Sequence, residues 1–159
     1  MKHKSQPLPG VMEGMQFELE KGYDEVNSLI RGRDRATGEA FNLRPERFVQ
    51  RFASQFYSLL GRDALMLGAT IISGGVFVYR DETYNKRLGE SWGPIGDKWQ
   101  PYAYSHGDIE TVSKSLKAAS KGIASRHVCS VKGMDGGVHL STVLVVPLGN
   151  FSLFVVAQK

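Results

Sequence analysis

The sequence predicts an α+β fold, a sheet of about five antiparallel strands with helices packed on it. Three observations carry that expectation. A run at helical spacing begins at Arg44-Pro45, two β-rich runs meet at Gly74-Gly75, and the chain closes on VHLSTVLVVPLGNFSLFVVAQK. That last stretch alternates apolar with small or polar residues on either side of a turn at Pro147 to Asn150. At 159 residues the chain supports one domain with a proper core. The reading divides it into an arm, 1–43, and an α+β domain, 44–159.

Within the arm, Pro7 and Pro9 break any early helix. Met15 to Ile30 is expected to form a loose amphipathic helix, and RGRDRATGEAFN a polar loop. Pro45 suits the first turn of a helix, and Phe48, Val49, Phe52, Ala53, Phe56, Tyr57, Leu59 and Leu60 recur at its period up to a stop at Gly61. Leu65–Ser73 and Val76–Asp81 read as two strands of a tight hairpin. A long segment rich in Gly, Pro and aromatics follows, from Glu82 to Gly107. Asp108 is placed to cap a second helix with the apolar stripe Ile109, Val112, Leu116, Ala119 and Ile123. HVCSVKG then gives a strand, Met134 to Gly137 a turn, and the closing hairpin the rest of the sheet. The predicted order is helix, two strands, helix, three strands.

The final strand is apolar on nearly both sides: Phe151, Leu153 and Val155 share one face, and Ser152, Phe154 and Val156 the other. Both faces of the sheet are therefore expected to be covered, by helices, by the arm or by a partner.

With 42% hydrophobic and 23% charged residues the composition is that of a folded globular chain, and no apolar run reaches the roughly 20 residues that span a bilayer. No apolar segment follows the basic start MKHKSQPLPG, so no secretory signal is visible. A single cysteine, Cys129, rules out an intrachain disulfide and points to a reducing, cytoplasmic setting. The net charge of +4 favours acidic partners.

Catalytic vocabulary is sparse. There is no G-x-S-x-G, no phosphate loop, no H-E-x-x-H and no dinucleotide fingerprint. His127 and Cys129, two apart, would share a strand face, but His139 is expected across from about Lys132, too far along to complete a metal site. Cys129 in mid-strand lacks the electropositive setting of a nucleophile. No catalytic residue, metal or cofactor is assigned. Two features suit binding instead. Tyr84, Trp92, Trp99, Tyr102 and Tyr104 crowd the long loop and are the candidate partner-binding residues, although aromatics also pin loops to cores. Arg44, Arg47 and Arg51 on the first helix, and Lys114, Lys117 and Lys121 on the second, each line one helical face and could follow a phosphate backbone.

The phrases LGATIISGGVFVYRD, DIETVSKSLKAASKGIA and MDGGVHLSTVLVVPLGNFSLFVVAQ resemble the first hairpin, central helix and closing strands of the roadblock/dynein-light-chain family, a profilin-like group. The resemblance covers about residues 44 to 157. It implies a five-stranded antiparallel sheet, a dimer paired through the central helix and its neighbouring strand, and a non-catalytic scaffold or regulator acting on small GTPases or motor complexes. The chain departs from the family in its missing last helix, its arm and its long loop. The expected function is a non-catalytic binding or scaffolding domain working through protein contacts, dimeric or within a complex. The alternative is a nucleic-acid-binding protein that uses the two basic helix faces with Trp92 and Trp99 as stacking residues.

Overall fold

Val143, Val145, Phe154 and Val156 pack on one side of a central sheet, while Leu144, Val146, Leu153 and Val155 pack on the other. Two strands that bury both of their faces require cover above and below. The computed structural model describes residues 4–20, 22–64, 66–81, 95–100, 106–132 and 138–158 and shows what that cover is.

The strands are β1 (Gln6–Pro7), β2 (Phe17–Leu19), β3 (Ile30–Asp34), β4 (Ala40–Leu43), β5 (Met66–Ser73), β6 (Val76–Arg80), β7 (Ser125–Lys132), β8 (Val138–Leu148) and β9 (Phe151–Gln158). The α-helices are α1 (Pro45–Arg51), α2 (Ala53–Leu60) and α3 (His106–Ser120), with a 3-10 turn at Met12–Gly14. The mixed α+β class holds. The large sheet has six strands in the order β1-β7-β8-β9-β5-β6, all antiparallel, and a separate sheet has the order β2-β3-β4.

Three expectations are corrected. The sheet gains a sixth strand because Gln6 and Pro7 pair with Arg126 and Ser125 at the edge of β7. Met15 to Ile30 is no helix: Phe17 begins one strand and Ile30 another, and the link between them turns on Gly22 and Ser28, both at positive φ. The polar stretch after Ile30 is a hairpin, closed where Gly38 at φ 74 donates its N–H to the Asp34 carbonyl at 2.8 Å. The arm thus makes a three-stranded sheet, and its Met15, Phe17, Tyr23, Ile30 and Phe41 join the same core as α1 and α2.

An aromatic cluster explains that union. Phe17 meets Phe48 edge-on at 4.9 Å and Phe52 at 4.9 Å, and Phe41 meets both at 5.8 and 5.6 Å. Such pairs add about 0.5–1.5 kcal/mol each beyond the area they bury. The first predicted helix is broken at Phe52, whose backbone (φ −107, ψ 24) leaves helical geometry and separates α1 from α2. Asp108 lies inside the first turn of α3 and not at its cap, and its carboxylate reaches across to accept the Ser130 N–H at 3.2 Å. α3 covers the opposite face of the large sheet from α1 and α2.

Candidate functional site

Polar residues concentrate where α3 meets β7 and β8. Asp108, Thr111 and Ser115 from the helix, Ser125 and His127 from β7, and Ser141 from β8 are all buried there. The period of two puts Ser125, His127 and Cys129 on one face of β7, as expected from the sequence. His139 pairs with Val131, one residue short of its expected place opposite Lys132. Ser115 Oγ lies 2.8 Å from His127 Nδ1 and 2.9 Å from Ser5 Oγ, so the arm, the helix and the strand share one hydrogen-bonded chain. His127 stacks edge-on against Phe154 at 6.2 Å. Its Nε2 and the hydroxyls of Ser125 and Ser141 are buried and make no hydrogen bond among the described residues.

The seam has the parts of a nucleophilic site without the electrostatics. Burial pushes the Cys129 thiol up to about 12, with the Asp108 charge adding to the effect, so it stays protonated at neutral pH. Burial also lowers His127 to about 4, which keeps the imidazole neutral. Ser115 is fully buried, so no substrate reaches its hydroxyl. Among the described residues, no three of His, Cys, Asp and Glu gather as a metal site would require. The seam's evident work is to fasten α3 to the sheet.

The two basic faces fall on opposite sides of the large sheet, since α1 packs on one face and α3 on the other. One phosphate backbone lying along one face meets only one of them. Several of the cations are also occupied. Arg44 pairs with Glu46 at 2.8 Å, Arg51 with Asp34 at 3.1 Å, and Lys114 with Glu110 at 3.2 Å. Glu46 accepts the Tyr79 hydroxyl as well; burial alone would raise its carboxyl, but the hydrogen bonds from Tyr79 and Arg44 hold it below the usual range. Arg51 also sits over the Phe41 and Phe52 rings, at 5.7 and 5.8 Å. Arg47, Lys117 and Lys121 form no ion pair among the described residues.

Of the aromatic loop, Tyr84, Trp92, Tyr102 and Tyr104 lie outside the described residues. Trp99 is 5% exposed and packs with Ile72, Phe77 and Val112 beneath α3, which is the pinning role and not that of a surface anchor. Its backbone N–H donates to the Gly75 carbonyl at 3.2 Å, while the Phe77 N–H donates to the Asp97 carbonyl and the Gly96 N–H to the Phe77 carbonyl, so residues 96–99 lie along β6.

One surface escaped the sequence reading. Leu144, Val146 and Leu148 of β8 pack in one core with α1 and α2, but past Arg126, whose guanidinium donates to the Leu59 carbonyl at 2.7 Å, those helices stop covering that side of the sheet. Leu140 is left 57% exposed there, with Val128, Ser130 and Thr142 half-buried around it. Leu140 continues the inward alternation of Thr142, Leu144 and Val146; the signal of exposure was that the helix it needed ends at Leu60. The chain matches no protein-family model, no curated protein and no solved structure. Among the described residues no helix is long and apolar enough to cross a membrane.

Proposed function

We propose that the chain is a non-catalytic binding or scaffolding domain that works through protein contacts, as a dimer or within a complex. The bare corner of the sheet around Leu140 carries this reading. An exposed leucine inside an ordered strand, beside the half-buried Val128, Ser130 and Thr142, offers an apolar side chain that a second protein surface can cover. The chemistry of the buried seam agrees, since its thiol and imidazole are held in unreactive states. The resemblance to the roadblock/dynein-light-chain family adds a small GTPase or a motor complex as the partner class, on that resemblance alone.

The nucleic-acid alternative rests on the net charge and on Arg47, Lys117 and Lys121, and the separation of the two basic faces weakens it. Light scattering coupled to size exclusion decides between the readings. The expected result is a dimer mass that persists at high salt, ignores added mixed-sequence nucleic acid and falls to the monomer in Leu140→Asp with the circular dichroism spectrum unchanged. A monomer that gains mass with nucleic acid at low salt alone would replace the first reading with the second.

A further inference from the structure

Away from the bare corner, a cleft of about 270 Å³ opens where two turns and a helix end converge. Gly74–Gly75 link β5 to β6, Gly149–Asn150 link β8 to β9, and Leu116 and Ser120 belong to the end of α3. Ile72 and Leu116 supply its apolar surface, while Ser73, Ser120, Asn150 and Ser152 supply its polar groups. Among the described residues no ionisable side chain lines it.

The hydrogen-bonding state of those groups restricts the ligand. Ser73 Oγ donates to the Asn150 carbonyl at 3.0 Å, and Ser120 Oγ donates to the Lys117 carbonyl at 2.6 Å. With their protons committed, both oxygens present lone pairs and act as acceptors. Ser152 differs. It is 8% exposed and pairs with Ile72 across β5 and β9. A hydroxyl that lines a cleft can offer its proton to a ligand that accepts it. The site therefore asks for donors and acceptors on one small molecule, and among the described residues it offers a charged group no counter-ion.

We propose that this cleft binds a neutral polyol of monosaccharide size, with its hydroxyls on Ser73, Ser120 and Ser152 and its C–H face on Ile72 and Leu116. Hydroxyl groups donate and accept at once, which is what the lining requires. The volume lies just under the roughly 300–1,000 Å³ of sites for drug-sized ligands. Among the described residues the lining holds no aromatic ring for stacking, so the expected affinity is millimolar. This site is independent of the protein-contact reading.

The test is a two-dimensional NMR titration of the full chain, labelled with nitrogen-15, using D-glucose, N-acetyl-D-glucosamine, N,N′-diacetylchitobiose and inorganic phosphate. The expected result is saturable movement of the amides of residues 73–76 and 149–152 with at least one neutral sugar, at a dissociation constant on the order of 1–10 mM, and none with phosphate. Ser152→Val removes the hydroxyl, and Ser120→Leu fills the cleft from an exposed helix position where folding is not at stake; each weakens binding about tenfold or more. Equal response to the disaccharide points to the end of a glycan chain as the natural source, and response to single sugars alone points to a free sugar. Absence of saturable movement up to about 100 mM sugar, an equal response to phosphate, or unchanged affinity in Ser120→Leu would overturn the proposal.

Discussion

Ser115 Oγ sits 2.8 Å from His127 Nδ1, and both residues are sealed between α3 and β7. A histidine so placed is neutral in the fold, with its titration lowered by burial to about 4 from the 6.5 of an open chain. Between those values only the unfolded chain takes up the proton. Stability is therefore unaffected above about pH 6.5, falls as pH drops below it and levels off near pH 4, with a total loss of roughly 3 kcal/mol. Urea unfolding at a series of pH values checks this against His127→Gln. The difference in stability between wild type and variant should shrink steadily from pH 7 to pH 4, and a constant difference would refute the assignment.

Cys129 should be silent in the native state. Its thiol is buried and pushed up to about 12, so the thiolate that attacks a disulfide reagent is scarce and shielded. With Ellman's reagent at pH 8 the folded chain should release almost no chromophore, and the chain in guanidinium should release one equivalent promptly. Fast reaction in buffer would mean that α3 opens readily from the sheet.

Gly32 occupies a place no side chain can share. A Cβ there would lie 2.2 Å from the Glu18 carbonyl oxygen and 2.7 Å from Cζ of Phe41. Gly32 pairs with Leu19 on one side and Phe41 on the other, so the clash falls on the backbone of β2 and on the aromatic core together. Gly32→Ala should cost about 2–4 kcal/mol, read as a lower melting temperature. A change within about 0.5 kcal/mol would show that β2 moves aside freely.

What the sequence disclosed followed the range of the interactions involved. The two-faced alternation of β8 and β9 was legible because neighbouring residues in one strand create it, and Gly74-Gly75 at φ 60 and 80 announced its own hairpin. The arm was not legible. Its strands are two to five residues long, too short for a period of two to stand out, and Phe17 and Phe41 are strand residues because Phe48 and Phe52 receive them. Nor could spacing reveal that Arg51 meets Asp34, or that the two basic helices lie on opposite faces, since both depend on how the chain crosses the sheet. The burial of Trp99 hid for the same reason: a glycine-rich setting looks like surface until residues 96–99 are seen lying on β6.

The same aromatic cluster makes the arm part of the domain, and that can be measured. Phe17 belongs to residues 1–43 and Phe48 to α1, yet each is fully inside one core and they touch edge to face. If the arm were a separate appendage, Phe17→Ala would leave the main unfolding transition alone or add a second one. With a shared core, Phe17→Ala and Phe48→Ala should each cost about 3–5 kcal/mol, because each opens a cavity in the same packed region. The double variant should lose less than the sum, since the second deletion removes contacts the first has already broken. Unfolding followed by tyrosine and tryptophan fluorescence and by circular dichroism should give coincident single transitions in all three variants. Additive losses would place the two rings in independent units and would restore a boundary near residue 43.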